Sequence, residues 1–245
     1  MKRSMLGALA LVLLIPGCAY TGTNAELGRV LGQVLNTPTS QGALTNAEID
    51  AGLREALTVG TNTVASQLGR TDGYFADPKI HIPLPKTYRS LQSNLAMVGA
   101  SGPLDDLELR MNRAAEAAVP QGKQLVIAAV KDMTISDALN ILKGGDTAAT
   151  DYLRAKTQDK LRVAFTPYMK DALASSGAFT AMESVAGQYG VGGVTSSLQS
   201  DLTGYAVNLG LDGMFYYVAQ EEKKIRENPV ARTTELLRRV FGTPV

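Results

Sequence analysis

Residues 45–69, TNAEIDAGLREALTVGTNTVASQLG, decide the fold class. Thr45 and Glu48 stand at the two positions of a capping box, in which each residue's side chain bonds the other's backbone N–H. Ile49, Leu53, Leu57, Val64 and Leu68 then recur at helical spacing until Gly69 supplies a stop. The stretch therefore predicts a long helix with one apolar face.

Working toward the C-terminus, residues 70–86 contain Asp72, Gly73 and three prolines, Pro78, Pro83 and Pro85. Proline lacks an amide donor and restrains the residue before it, while Ile80, Ile82 and Leu84 alternate. An extended segment laid across the helices is expected. A helix follows over Thr87 to Val98, and another opens at Pro103, with Asp105, Asp106 and Glu108 in its first turn, and runs to Pro120. Its apolar face is Leu104, Leu107, Met111, Ala115 and Ala118. Gln124 to Lys131 reads as a further buried helix. Thr134 caps Ile135 to Lys143 with Asp137 at the box position, and Gly144 and Gly145 end that helix.

Asp146 starts a helix reaching about Phe165, and Pro167 predicts a break before Tyr168 to Ala174. Helical signals continue over Phe179 to Ala186. The stretch Gly187 to Ser197, GQYGVGGVTSS, is the least regular of the chain. The last long helix is expected from Asp201 to Glu227, ended by Asn228 and Pro229. A final short helix turns Leu236, Leu237, Val240 and Phe241 inward. The result is an all-α fold: a single bundle of about eight to ten helices with one extended proline-rich segment.

Toward the N-terminus the character changes. Lys2 and Arg3 precede the unbroken apolar run MLGALALVLLI (Met5 to Ile15) and the small-residue break Pro16, Gly17, which is the pattern of a secretory signal. The run is too short for a bilayer span, which takes about 20 apolar residues. Ile15, Pro16, Gly17 and Cys18 resemble the lipobox of bacterial lipoproteins, whose cysteine is acylated and becomes the new N-terminus. Pro16 departs from that pattern. Cys18 is the one cysteine of the chain and stands where a lipoprotein needs it. The expected organisation is a signal over 1–17, a lipidated N-terminus, linker and short helix over 18–43 (apolar at Leu27, Val30, Leu31, Val34 and Leu35), and a helical domain over 44–245. Ala19 after the cysteine suggests sorting to the periplasmic face of the outer membrane. Without acylation of Cys18 the product is soluble in the periplasm.

Composition bounds the chemistry. Of 245 residues, 45% are hydrophobic and only 6% aromatic, with no Trp, so small side chains fill the core. Basic and acidic residues number 24 and 23, and loss of Lys2 and Arg3 leaves the mature chain near neutral, without the basic face that nucleic acid requires. His81 is the single histidine, so a site of Cys and His metal ligands is excluded by count, and no GxSxG elbow accompanies a Ser–His pair. A structural or surface role is expected for His81. No cofactor is implied.

Carboxylates are the remaining reactive groups. Glu221 and Glu222 precede Lys223, Lys224 and Arg226, with Glu222 and Arg226 spaced as an i,i+4 ion pair. Asn112 and Glu116 share a helix face beside Arg113. The plain reading of both sets is a solvated helix face, and the sharper one is a buried network or a polar pocket of Asn112, Arg113, Glu116, Glu221 and Arg226. In KGGDTAATDYLR, glycines precede a helix N-terminus that could cradle an anion, yet back-to-back helix caps account for the residues.

The segments DGYFADPKIHIPLP, MNRAAEAAVP, MTISDALNILKGGDTAATDYLR and LDGMFYYVAQEEKKIRENPVARTTELLRRVFG resemble a bacterial envelope family known as domain of unknown function 4197, over about Leu44 to Gly242. The resemblance implies a single exported, often lipoprotein-like domain with no assigned activity, cofactor or catalytic residue. Two functions fit these constraints. The first is a lipid-anchored periplasmic binding or scaffold module, contacting a lipid or an envelope protein, with an apolar-ligand cavity between helices. The second is a hydrolase of glycan or peptidoglycan using Glu116, Glu221 or Glu222 as acid or base. Consecutive Phe215, Tyr216 and Tyr217, which cannot all face one core, add an expectation of homo-oligomerisation through the last long helix.

Overall fold

In the computed structural model, which describes residues 44–181, 193–228, 232 and 234–242, the opening stretch forms helix α1 (Asn46–Leu68). Its capping box is complete: the Thr45 N–H donates to Glu48 Oε2 at 2.9 Å and the Glu48 N–H donates to Thr45 Oγ1 at 3.2 Å. Leu53, Leu57, Val64 and Leu68 are buried along one face, and Gly69 ends the helix. The expected signal, Cys18 and the short helix over 18–43 lie outside the described residues, as do 182–186 of the expected helical stretch Phe179 to Ala186 and 187–192 of the irregular stretch.

The remaining helices are α2 (Lys86–Ala96), α3 (Gly102–Lys131), α4 (Ile135–Lys143), α5 (Ala148–Ala174), α6 (Gly193–Glu227) and α7 (Glu235–Gly242), with a short helical run over 177–181. The fold is all-α. The long helices α3, α5 and α6 pack side by side, and α1 lies against α3, α4, α6 and α7. Leu107, Met111 and Ala118 of α3, Leu161, Phe165 and Met169 of α5, and Ala206, Met214 and Phe215 of α6 meet in the main core.

Two expected breaks do not occur. Pro120 lies inside α3, which continues through residues 124–131, and Pro167 lies inside α5. A helical proline removes the N–H that would bond the carbonyl four residues back. Both prolines are exposed, and the carbonyl freed by Pro167 belongs to Val163, itself 75% exposed, on the solvent-facing side of the helix. The helices on either side of each proline bury continuous faces, which holds them in one line. The last long helix also begins at Gly193 rather than Asp201.

The proline-rich segment is not extended throughout: successive turns occupy residues 71–76 and 78–80, closed by bonds such as the Asp77 N–H to the Tyr74 carbonyl and the His81 N–H to the Asp77 carbonyl, and only 81–85 are free of turns. Tyr74, Ile80, Ile82 and Leu84 are buried in the main core while His81 and Pro83 are half-buried. Its close approach to α6 depends on Gly213, where a Cβ would come within 2.9 Å of Ile80 Cβ and 3.0 Å of Tyr74 Cε1. Gly204, in contrast, is exposed with open space around it and plays no packing part.

Candidate functional site

Backbone polar groups that leave regular structure must find partners elsewhere. Along the 72–84 segment α3 supplies them. Asn112, fully buried, accepts from the Ile82 N–H at 2.8 Å and donates to the Ile82 carbonyl at 2.9 Å, so one side chain stands in for a neighbouring strand. Glu116, four residues on, accepts from the Tyr74 N–H at 3.0 Å and the Phe75 N–H at 3.2 Å through Oε1. Its Oε2 takes Arg113 Nη1 at 2.8 Å, and Arg113 Nη2 reaches Asp72 at 2.7 Å. Asp72 holds φ of 65°, a left-handed conformation that Asp tolerates better than most residues.

The same segment is tied to α6. Tyr74 donates its hydroxyl to the Gly210 carbonyl at 2.7 Å, and burial pushes its phenol well above the usual range. Tyr217 hydrogen-bonds Asp77. That carboxylate holds the phenolic proton, and with burial raises the Tyr217 pKa to about 12. His81 Nε2 lies 2.6 Å from Glu108 Oε1 and Nδ1 lies 2.7 Å from the Phe75 carbonyl, so both ring nitrogens are engaged in the structural role expected of it. A shallow polar groove of about 240 Å³, lined by Gln67, Arg70, Asp72, Gly73, Ala76, Asp77 and Pro78, runs beside this cluster.

A second cluster forms where α6 crosses the start of α5. Helix α5 has no local side-chain cap, and its first amides need an acceptor. Glu222 supplies it: Ala149 N–H donates to Oε1 at 3.0 Å, while Thr150 N–H and hydroxyl donate to Oε2 at 2.9 and 2.8 Å. Arg226 closes the network, donating from Nε and Nη2 to Oε1 at 3.0 and 2.8 Å and from Nη2 to the Ile141 carbonyl at 2.9 Å. A carboxylate at a helix N-terminus is favoured by the helix dipole. The back-to-back caps expected for KGGDTAATDYLR are thus only partly present: Thr147 makes no side-chain cap, and the Glu222 carboxylate takes that place.

The solvated-face reading fails for these residues. Asn112, Glu116 and Glu222 are 0%, 4% and 8% exposed, because each lies on its helix in line with apolar neighbours and meets unpaired backbone donors there. Glu221 is the more open carboxylate and pairs with Lys224 at 2.5 Å. The five residues of the expected polar pocket divide: Asn112, Arg113 and Glu116 serve the proline-rich segment, whereas Glu221 and Arg226 flank Glu222 at the start of α5.

This second cluster forms one side of a cleft between α1, α5, α6 and α7: Glu221, Glu222 and Arg226 line it together with Leu53, Leu57, Leu153, Val218, Ile225 and Phe241. Its free volume is about 30 Å³, close to the space of a single water molecule. Arg54 of α1 completes the frame from the opposite polarity. It donates to the carbonyls of Val130, Lys131 and Met133 at the end of α3, and its Nε pairs with Asp50 at 2.8 Å. Sequence reasoning missed Arg54, Tyr74 and Thr150. The signal that could have pointed to such partners was the place of Glu116 and Glu222 among the apolar residues of their helices.

Among the described residues no group of three or more His, Cys, Asp or Glu is arranged to hold a metal ion, and no helix is long and apolar enough to cross a membrane. Comparison with known families matches residues 43–242 to the family described as "Protein of unknown function (DUF4197)". No curated protein and no solved structure matches the chain.

Proposed function

The chain belongs to this family, whose description attaches no activity to membership, and we propose that it is an exported, lipid-anchored module of the bacterial envelope that binds or scaffolds rather than converts a substrate. The observation that carries the reading is the use made of its buried acids. Glu116 and Glu222 each hold two backbone N–H groups and an arginine. A general acid or base needs a carboxyl group free to exchange its proton with a substrate. These two are engaged in holding the fold together.

The rival, a carboxylate hydrolase, needs two acids facing each other about 5 to 9.5 Å apart across a cleft. Glu116 lies in the first cluster, and although Glu221 and Glu222 both line the apolar cleft, they are neighbours on one helix, Glu222 held by the start of α5 and Arg226 and Glu221 paired with Lys224. The apolar cleft is too small for an acyl chain as it stands, so binding through the surface is preferred to an internal lipid cavity. Anchoring rests on the pattern from Met1 to Cys18, since two or more acyl chains make membrane attachment stable.

Protein extracted from membranes of the source bacterium and examined by native mass spectrometry should carry a lipid or an envelope protein. Repeated isolation of the bare chain would overturn the binding reading. Separately, the mature N-terminus should be an acylated Cys18, and an unmodified N-terminus would overturn the anchor while leaving the first result to stand.

A further inference from the structure

Three side chains of α3 hold the segment over 71–85. Asn112 and Glu116 bond its backbone directly. Glu108 holds it through His81, the one histidine of the chain and the residue type whose ordinary titration falls near neutral pH.

Both partners of the His81 ring are acceptors. Nε2 lies 2.6 Å from Glu108 Oε1, and Nδ1 lies 2.7 Å from the Phe75 carbonyl oxygen. A carbonyl has no proton to give, and a neutral imidazole carries only one N–H. Glu108 is already an acceptor on its other oxygen, where Gln92 donates to Oε2 at 3.1 Å while also donating to Asp105 Oδ1 at 2.7 Å. Donors at both of its oxygens fit a carboxylate. Only the imidazolium, with an N–H at each nitrogen, makes both ring bonds. In the neutral ring one nitrogen turns a lone pair toward an oxygen, and that tie is lost. The His81 side chain is 27% exposed, so its proton exchanges with solvent.

Other charges around the ring have partners of their own. Arg113 lies over the Phe75 ring, which is 5.4 Å from the imidazole, and is paired with Glu116 and Asp72. Asp77 is bonded by Tyr217 of α6. On the far side of Glu108 stand Arg89 of α2 and Tyr205 of α6: burial pushes the Tyr205 phenol up, with Arg89 lowering it and Glu108 raising it. Glu108 is the carboxylate in contact with the ring.

We propose that His81 is a pH-operated clasp, which as imidazolium ties the turn at Phe75 to Glu108 of α3 and on losing one proton lets that turn go. The clasp is closed on the acid side and opens as pH rises, because the folded chain favours the doubly protonated ring. What it controls is the shape of the polar groove, since Asp72, Gly73, Ala76, Asp77 and Pro78 of this segment line it. The inference goes beyond the binding reading and rests on neither the anchor nor a partner.

With one histidine in the chain, the imidazole signals of the full chain, prepared without a histidine tag, report His81 alone. Nitrogen NMR distinguishes the imidazolium from the two neutral tautomers. At about pH 7.5, where a free imidazole is mostly neutral, most rings should carry two protons in the folded chain and few in the same chain unfolded in urea. Equal protonation in the two states would overturn the proposal, and this comparison needs no variant to fold.

Amide exchange over 71–85, taken relative to amides of α1, should also speed up by about tenfold or more between about pH 6 and pH 9, as one charge-assisted hydrogen bond is lost. His81→Gln, which takes up no proton, should show no such rise. A flat profile in the unmutated chain, or a rise that survives in His81→Gln, overturns the clasp.

Discussion

Replacing Glu222 by glutamine should destabilise the domain by about 3 kcal/mol, and the number can be built from its contacts. The carboxylate accepts five hydrogen bonds, three from the start of α5 and two from Arg226. An amide keeps one oxygen and turns an NH₂ toward the rest. If the oxygen stays with Ala149 and Arg226, the Thr150 hydroxyl can rotate to accept, but the Thr150 N–H is left buried without a partner, at about 1–3 kcal/mol. Losing the negative charge at the helix N-terminus costs about 0.3–2 kcal/mol more. Arg226, whose side chain is 14% exposed, then keeps its charge with only the Ile141 carbonyl as a strong partner.

Urea unfolding should therefore show a lower midpoint with an unchanged slope. For a domain of this size the melting temperature should fall by roughly 6–12 °C, at about 2–4 °C per kcal/mol. Hydrogen exchange should report faster exchange at Ala149 and Thr150 in particular. Removing both charges, as Glu222→Gln with Arg226→Met, should cost less than the sum of the two single changes, since the unpaired arginine is gone. A Glu222→Gln variant within about 0.5 kcal/mol of the parent, with those two amides still protected, would refute the account, because typical surface substitutions fall in that range.

Other changes give readings of the same kind. Asn112→Leu should cost about 2–4 kcal/mol, because it orphans both polar groups of Ile82 inside the core; a urea midpoint near the parent's would contradict this. Pro167→Ala should stabilise by roughly 1–2 kcal/mol, the helix penalty of about 3 kcal/mol being partly offset by greater freedom of the unfolded chain; thermal denaturation will show whether the gain appears. Acid should weaken the domain through its two capping boxes. The Thr134 hydroxyl and N–H hold Asp137 below the usual carboxylate range, and the Thr45 N–H and hydroxyl, with Arg239, do the same for Glu48. Both folded-state values are depressed, so the stabilisation is present above the unfolded carboxylate value, near 4, and is lost as pH falls through the folded values. Midpoints measured at descending pH should show this loss, and Thr134→Ala together with Thr45→Ala should reduce it.

Much of the fold was legible because helix signals are local. Thr45 with Glu48 and Thr134 with Asp137 place helix starts through contacts three residues apart, and the spacing of Leu53, Leu57, Val64 and Leu68 marks the face that must be buried. The alternation of Ile80, Ile82 and Leu84 likewise indicated which side of the proline-rich segment points inward. The polar sites were half legible. Val218, Glu222 and Ile225 share one face of α6, as Asn112, Glu116 and Val119 share one of α3, and a carboxylate on an apolar stripe announces burial. Its partner cannot be read that way, because Thr150 and Tyr74 are brought to these residues by chain folding over 72 and 42 positions.

The sequence by itself therefore determined an all-helical domain, the positions of its caps, and a neutral composition with one histidine and one cysteine that removes whole classes of chemistry. Tertiary structure alone decided that Pro120 and Pro167 do not end their helices, since that depends on the continuous faces buried on either side of each proline. It also decided that the carboxylates of Glu116 and Glu222 are taken up by backbone N–H groups and an arginine. A side chain's chemistry is written in its type, but whether it remains free to act depends on which unpaired backbone groups the packed helices bring beside it.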